Sequence, residues 1–237
     1  MELRILGPLE VVADGRPLPL GGPRQRAVLA RLALDAGRVV TAETLAEDVW
    51  AGRQPATAAK TLQKYVSELR KALPSPEVVR TRGSGYVLDI DADAIDARRF
   101  ERLVSEGSRA VAAGDPAVAG CHLTAALALW RGGVLADLPD CRFADPERAR
   151  LGELRLVANE ERLAAEVALG RHGEVTGELA ELVEAHPLRE RLWASLMLAL
   201  YRSGRQVEAL RAFERHRRQL AEEVGVEPAP ALRELEA

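Results

Sequence analysis

The pattern of apolar and polar residues predicts a β-rich start, three helices, a hairpin and then a long helical region. Residues 2–20 alternate short apolar runs with turn signals, which is typical of short strands in a small sheet. Asp14-Gly15 is the clearest hairpin turn, because both residue types tolerate the positive φ that a two-residue loop requires. The chain therefore begins with a predicted short sheet.

Two predicted helices follow this sheet. The first covers residues 23–36 and ends at Gly37, because glycine commonly terminates helices. Thr41 can cap a second helix that extends to Trp50, since a threonine hydroxyl accepts a hydrogen bond from the first turn. A large ring at a helix end usually closes a small core, so we expect Trp50 to be buried. The apolar positions of the two helices are Val28, Leu29, Leu32, Ala36, Leu45, Ala46, Val49 and Trp50.

The third predicted helix, residues 55–73, has two chemically different faces. At helical spacing its apolar residues fall on one stripe: Ala58, Leu62, Val66, Leu69 and Leu73. The opposite face carries Thr57, Lys60, Lys64, Ser67 and Lys71, with Gln63 and Arg70 on its flanks. Such a helix suits a DNA major groove, where lysines bind phosphates or guanine and hydroxyls adapt to either. The alternative for this stretch alone is an ordinary solvated helix face.

Charge is distributed unevenly along the chain. Its only three lysines lie on this helix, whereas 30 arginines are spread throughout. Residues 1–90 hold 13 basic and 10 acidic side chains, and residues 91–237 hold 20 and 26. Residues 53–82 alone hold seven basic and two acidic side chains. The amino-terminal part is therefore expected to attract a polyanion, and the acidic remainder to serve another role.

A β-hairpin is predicted after the third helix. Residues 78–81 and 86–90 form two β-rich segments, and residues 82–85, Arg-Gly-Ser-Gly, join them. The glycines of this tip permit positive φ and close backbone approach. Arg80 and Arg82 would project beside that tip. Three helices followed by a basic hairpin describe a winged helix-turn-helix, in which one helix enters a groove and the wing contacts the adjacent backbone.

The remaining residues are almost continuously helical. Asp96 looks like the cap of a new helix, so we predict one domain at residues 1–93 and another at 94–237. Gly170 and Gly204 lie one 34-residue repeat apart, which indicates a degenerate tetratricopeptide-like array of about three units. The residues that match this repeat are Trp193, Leu196, Gly204, Ala209 and Phe213, and earlier Leu103, Gly107, Gly114, Ala119, Leu123 and Ala126. The alternative role of such an array is folding or dimerisation alone.

Other classes of protein find little support in the sequence. The start lacks a signal-peptide profile and no apolar run is long enough to span a membrane, so we expect a cytoplasmic, nucleoid-associated protein with no membrane contact. Cys121, Cys141 and the four histidines show no metal-ligand spacing. The Gly-Ser-Gly at residues 83–85 is not a nucleophile elbow, and no phosphate-binding loop occurs. We therefore expect no enzyme activity, no cofactor and no metal.

Several segments resemble a known family. LGPLEV, PRQRAVLARLAL, TLAEDVW, TLQKYVSELRKAL and TRGSGYVL are similar, in order and spacing, to the OmpR-type winged helix. With LGPLEV at the start and a helical partner attached, nearly the whole chain resembles the Streptomyces antibiotic regulatory protein family. The resemblance implies a mainly helical protein with small sheets: a winged helix (N-terminal sheet, three helices, hairpin wing) followed by an all-helical, tetratricopeptide-like bacterial transcriptional activator domain. The phosphoacceptor receiver of OmpR relatives is not expected in this subtype, so switching by aspartyl phosphate has no support.

The resemblance also implies a function. Family members bind direct repeats in double-stranded DNA upstream of biosynthetic promoters and recruit RNA polymerase holoenzyme, including its sigma factor. Two copies would then lie side by side, head to tail. The residues expected nearest base edges are Thr57, Lys60, Gln63, Lys64 and Ser67, and those expected at phosphates are Arg70, Lys71, Arg80 and Arg82. Gln63 and Arg70 could instead be satisfied within the protein.

A protein-interaction scaffold with a winged helix that does not bind DNA is the alternative function. Acidic pairs such as Glu160-Glu161 and Glu222-Glu223 are expected to be solvated, so no polymerase contact is assigned to them. Residues 1–95 alone are expected to bind an operator without activating transcription. Large family members continue into an ATPase-type region after the helical domain, so the sequence leaves open whether it is part of a longer regulator.

Overall fold

The computed structural model describes residues 1–236 and contains two small sheets and mostly helices. The strands are β1 (Glu2–Arg4), β2 (Glu10–Ala13), β3 (Arg16–Pro17), β4 (Val40–Thr41), β5 (Val79–Arg82) and β6 (Gly85–Leu88). The helices are α1 (Pro23–Leu34), α2 (Ala42–Trp50), α3 (Ala58–Ala72), α4 (Asp96–Ala112), α5 (Pro116–Leu127), α6 (Asp145–Ala168), α7 (His172–Ala185), α8 (Glu190–Arg202), α9 (Gln206–Glu223) and α10 (Pro230–Glu236). No described helix combines the length and apolar character that a membrane span requires.

The N-terminal sheet has the antiparallel order β1-β2-β3. Asp14 and Gly15 form the turn between β2 and β3, with φ of 51° and 76°, and Ala13 pairs with Arg16 across it. Positive φ at both loop residues is the geometry that matches the twist of a two-residue hairpin. The hairpin predicted at Asp14-Gly15 is confirmed.

The next three helices and the second sheet form the winged helix. Thr41 caps α2, because its hydroxyl accepts a hydrogen bond from the Thr44 N–H at 3.1 Å. Trp50, at the end of α2, is 6% exposed, as expected for a core residue. The first helix stops at Leu34, so Ala36 lies in the following turn and is half-buried rather than part of the inner face.

The hairpin wing is part of a three-stranded sheet of order β4-β6-β5. The two-residue β4 joins the hairpin through the pairs Val40 with Tyr86 and Thr41 with Gly85. Two residues are too few to produce a strand pattern, so the sequence predicted the hairpin without this third strand. The inner strand of the wing, β6, is consequently paired on both edges, whereas β5 is an edge strand.

The described chain divides into two compact units. The first combines residues 1–103 with residues 126–155, and the second combines residues 104–125 with the described residues from 156 onward. The division falls within α4, α5 and α6. These compact units do not follow the predicted domain boundary between residues 93 and 94, which stays a prediction.

Residues 131–137 belong to the first unit because they pair with the N-terminal loop at residues 5–9; we call these two segments the loop seam. The N–H groups of Arg131 and Leu135 donate to the carbonyls of Leu6 (2.7 Å) and Ile5 (3.0 Å). The N–H of Leu9 donates to Asp137 Oδ1 at 2.6 Å. Residues 5–9 are mostly buried and need such partners, since unpaired buried peptide groups are costly.

Asp96 also binds the N-terminal loop at residues 5–9. Its side chain is 2% exposed and accepts hydrogen bonds from the N–H groups of Ile5 (2.8 Å) and Leu6 (3.0 Å). Burial raises the pKa of this carboxyl, and the two backbone donors oppose that shift. The sequence predicted Asp96 as the cap of a new helix; it is the first residue of α4, and its carboxylate binds residues that precede it by 91 and 90 positions.

Helix pairs build the second unit. Trp193 and Leu196 on α8 and Ala209 and Phe213 on α9 are buried, and Gly204 lies in the turn between these helices. In the earlier pair, a side chain at Gly107 would meet Leu123 of α5 at 2.6 Å, so the helices approach closely there. These positions match the predicted tetratricopeptide-like pattern of large and small residues.

The acidic pair on α6 is buried, although the sequence analysis predicted that it would be solvated. Glu160 and Glu161 are only 3% and 9% exposed. Glu161 accepts a hydrogen bond from the Ser108 hydroxyl at 2.6 Å, and Glu160 lies 3.6 Å from the Arg189 guanidinium. Buried carboxylates require such partners. The expectation failed because helix spacing alone does not show which polar residues a neighbouring helix covers.

Candidate nucleic-acid interface

The leucine stripe anchors α3 as the sequence predicted. Ala58, Leu62, Val66, Leu69 and Leu73 are all buried, each with at most 6% of its surface exposed. This stripe packs against the first two helices. Burial of one apolar face stabilises a helix and leaves its other face available.

The opposite face of α3 is exposed at every predicted position. Thr57, Lys60, Gln63, Lys64, Ser67 and Lys71 are all solvent-exposed. Of the three lysines, only Lys64 forms an ion pair within the described chain. Its partner is Glu68 of the same helix, at 3.8 Å. The Lys64 side chain is 71% exposed, so this contact is weak. The three ammonium groups therefore point to solvent on one line.

The wing carries one free and one compensated arginine. Arg80 pairs with Glu77 at 3.1 Å and with Asp89 at 2.7 Å, whereas Arg82 is exposed and makes no recorded ion pair within residues 1–236. Gly83 begins the two-residue turn with a φ of 54°. Arg82 therefore stands next to the wing tip with its charge available, and the charge of Arg80 is largely neutralised.

Arg70 is engaged inside the protein. Its Nε donates to the Val79 carbonyl at 2.7 Å and its Nη2 donates to Thr81 Oγ1 at 2.8 Å. Both acceptors belong to the outer wing strand. The structure thus separates Arg70 from the exposed cations with which the sequence grouped it.

Arg24 is a basic residue near α3 that the sequence analysis overlooked. Its guanidinium lies 5.9 Å from the centre of the Trp50 ring, and Trp50 in turn stacks on Tyr65 of α3 at 6.2 Å. Cations are attracted to aromatic faces in this range. The sequence shows Arg24 only as a basic residue in the first turn of α1. The contact through Trp50 and Tyr65 is what places Arg24 beside α3.

The groups at this site are suited to hydrogen bonds and ion pairs. Ser84 lies in the wing turn, and its carbonyl accepts a hydrogen bond from the Ala42 N–H at 3.0 Å. Within residues 1–236, no group of three or more His, Cys, Asp or Glu side chains is placed to hold a metal. Exposed ammonium, guanidinium, amide and hydroxyl groups are those that proteins use for phosphates and base edges.

Comparison with known proteins identifies the family. Residues 95–237 match the family described as bacterial transcriptional activator domain, and residues 15–88 match the one described as transcriptional regulatory protein, C terminal. The chain is 39% identical over 246 residues to the regulatory protein DnrI of Streptomyces peucetius, covering all of this chain and 90% of that protein.

The chain belongs to the Streptomyces antibiotic regulatory protein family. It is also 45% identical over 237 residues to the regulatory protein AfsR of Streptomyces coelicolor, and it spans 24% of that longer relative. A solved structure of Mycobacterium tuberculosis EmbR, in complex with a low-affinity phosphopeptide, matches with a TM-score of 0.92 and 40% identity. That match covers 99% of this chain and 63% of the EmbR chain.

These relatives share one class of function. Their names describe regulatory proteins, and the two family matches cover an amino-terminal segment, residues 15–88, and the segment from residue 95 onward. The resemblance drawn from LGPLEV and the helix and wing segments is confirmed at the level of the family. The family to which the chain belongs is thus one whose named members are regulatory proteins.

Proposed function

We propose that this protein is a sequence-specific DNA-binding activator that binds direct repeats upstream of biosynthetic promoters and recruits RNA polymerase holoenzyme, including its sigma factor. The observation that carries the proposal is the exposed lysine face of α3 opposite a fully buried leucine stripe. A basic helix fixed by one side and open on the other is the arrangement that enters a major groove. The protein would act in the cytoplasm, on the nucleoid.

The exposed residues take two roles in this proposal. Outward-facing residues of α3, together with Thr57, which directly precedes the helix, reach base edges. Residues near the end of α3 and on the wing hold phosphates. Thr57, Lys60, Gln63, Lys64 and Ser67 form the first group, and Lys71, Arg80 and Arg82 the second. Arg82 is the stronger phosphate ligand of the wing pair, because Glu77 and Asp89 already neutralise Arg80.

Two copies would occupy adjacent repeats head to tail. Direct repeats present the same orientation twice, so the two copies would meet through different surfaces rather than through a two-fold axis. The helical activator module would supply the contact with polymerase. This part of the proposal is supported by the family resemblance.

DNA binding is tested by selecting duplexes from a random pool and measuring affinity at several salt concentrations. A protein that contacts about six phosphates gives a log-log slope near −5, because each contact releases condensed counterions. A protein-interaction scaffold would enrich no sequence and would bind poorly at every salt concentration. That outcome would end the DNA-binding proposal.

Activation is tested in a purified transcription system with the selected duplex placed upstream of a promoter. The full chain is expected to increase transcript yield with holoenzyme that contains the sigma factor. A variant with all three lysines of α3 changed to alanine provides the matched control, since it should keep the activator module and lose the DNA contact. Equal activation by that variant would contradict the assigned role of α3.

A further inference from the structure

We infer that Arg70 is a positioning residue that fixes the wing against α3, rather than a ligand of DNA phosphate. The inference rests on the proposed function, because the wing matters only if it contacts DNA. It assigns to Arg70 a role that its charge alone does not suggest.

The first argument is the geometry of the guanidinium. Arg70 Nε donates to the carbonyl of Val79 at 2.7 Å, and Nη2 donates to the hydroxyl of Thr81 at 2.8 Å. These acceptors lie two residues apart on β5. One acceptor is a backbone carbonyl and the other a side-chain hydroxyl, and the planar fork of a single arginine reaches both with different nitrogens.

The second argument is the exposed edge of β5. The sheet order β4-β6-β5 leaves one edge of this strand without a neighbouring strand. Carbonyls along such an edge need another donor, and Val79 is fully buried, so water is a poor substitute. Arg70 supplies the donor from α3.

The third argument is that the inner strand of the wing is already fixed elsewhere. Leu88 accepts a hydrogen bond from the Gly37 N–H at 2.9 Å, and Ser84 accepts one from the Ala42 N–H at 3.0 Å. A side chain at Gly85 would fall 2.2 Å from the Val40 carbonyl, so β4 and β6 are in close contact there. These contacts tie the wing to the segment around α2 and not to α3.

Arg70 therefore provides the polar link between α3 and the wing. Both side-chain hydrogen bonds recorded between α3 and β5 in the described residues come from its guanidinium. Arg82 lies at the end of β5, three residues after Val79 and one after Thr81. Release of Arg70 would let β5 shift relative to α3 and would move Arg82 away from the phosphate it contacts when α3 is in the groove.

The test is a double-mutant cycle on a duplex that the wild-type chain has enriched from a random pool. The variants are Arg70→Ala, Arg82→Ala and the double variant, and the measured quantity is the slope of log affinity against log salt. If Arg70 positions Arg82, each variant should have a slope shallower by about 0.9, and the double variant should match either single one, because all three lose the same phosphate contact.

The opposite result is equally clear. If Arg70 binds its own phosphate, the two losses add and the double variant is shallower by about 1.8. That result would overturn the inference and leave the proposed function intact. If the wild-type chain enriches no duplex, the proposed function itself fails, and the two failures are thus distinguished.

A second pair of variants protects the test against misfolding of the Arg70 variant. Thr81→Val removes one acceptor of Arg70 but leaves every positive charge in place, and Thr81→Ser retains the hydroxyl. We expect Thr81→Val to weaken binding and flatten the salt slope in the same direction as Arg70→Ala, and Thr81→Ser to bind as the wild type does. Wild-type affinity and slope in Thr81→Val would overturn the inference.

Discussion

The exposed face of α3 and the loop seam use charged groups in opposite ways. On α3, Lys60 and Lys71 make no recorded ion pair within the described chain, and the contact of Lys64 is long and exposed. At the seam, Arg131 pairs with Glu10 at 3.0 Å, and its backbone N–H binds the Leu6 carbonyl. Cations that stabilise the fold are compensated inside the protein. Cations left uncompensated on a rigid helix are those available to a partner.

The strongest test of the structural role of the seam is to remove one of its two segments. A fragment of residues 1–95 lacks Asp96 and residues 131–137, so the buried peptide groups of Ile5, Leu6 and Leu9 lose their partners. We expect it to lose cooperative thermal unfolding by circular dichroism, because several buried unpaired groups cost about 1–3 kcal/mol each. A fragment that fails to fold would also fail to bind the operator, which is the opposite of what the sequence alone leads us to expect.

The matched control for that fragment is residues 1–155, which retains all of the first compact unit. It should unfold cooperatively. A 1–95 fragment with the melting temperature of the full chain would show that the seam contributes little to the amino-terminal fold.

A single substitution at the seam should have the next largest effect. Asp96→Ala leaves the N–H groups of Ile5 and Leu6 unpaired, and we expect it to lower the free energy of unfolding by about 2–6 kcal/mol in urea denaturation. Asp93→Ala is the control, because Asp93 is exposed and its ion pair with Arg102 at 3.0 Å is worth about 1 kcal/mol or less. Equal stability of the two variants would remove Asp96 from its structural role.

On the other side of the comparison, a lysine of α3 should affect binding and not folding. Lys64→Ala should weaken binding to a selected duplex by about 1–3 kcal/mol and reduce discrimination against random DNA. Its melting temperature should be unchanged, since the side chain is 71% exposed. Arg82→Ala should instead weaken cognate and random binding about equally, because phosphates carry no sequence information.

The control for Lys64 is Arg211→Ala, which removes an exposed cation from α9 of the second unit. It should change neither affinity nor salt slope. Unchanged affinity in Lys64→Ala would exclude that residue from the interface.

The smallest expected effect concerns His216, which is completely buried and stacks on Trp193 with ring centres 5.0 Å apart. Burial lowers the pKa of His216, which the negative charge of Glu190 partly opposes. The unfolded state therefore binds more protons than the native state, so stability falls as pH drops below about 6.5. The loss is at most about 1.4 kcal/mol per pH unit.

His216→Phe should abolish this part of the pH dependence while preserving the aromatic stack. Urea denaturation of both proteins between neutral and mildly acidic pH measures the difference. Parallel pH profiles would show that His216 is not protonated on unfolding in this range. The predicted change concerns the helical unit and should leave salt-dependent DNA binding unaffected.

The features that sequence predicted well have local causes. The leucine stripe of α3 repeats at helical spacing, and Asp14-Gly15 has the backbone freedom of one specific turn. Thr41 could be identified as a cap because its acceptor role involves residues three positions away. The exposure of Lys60, Gln63, Lys64, Ser67 and Lys71 followed directly from the burial of the other face.

The features that sequence missed depend on distant partners. The seam consists mainly of backbone hydrogen bonds between segments more than 120 residues apart, and backbone groups are the same in every residue. From the sequence, Arg70 could not be distinguished from its neighbour Lys71, because the two acceptors of Arg70 lie on the wing strand. Glu160 and Glu161 looked solvated because the groups that cover them come from other helices.

The pairing of residues 5–9 with residues 131–137 has a consequence for building hybrid regulators. The second segment of the seam, residues 131–137, lies after α5 and well inside the region that matches the activator family. A chimera joined near residue 95 would therefore combine an N-terminal loop with a foreign insertion that need not present its N–H and carbonyl groups in register. Exchanging target specificity between relatives should succeed more often when the 128–144 segment travels with the winged helix.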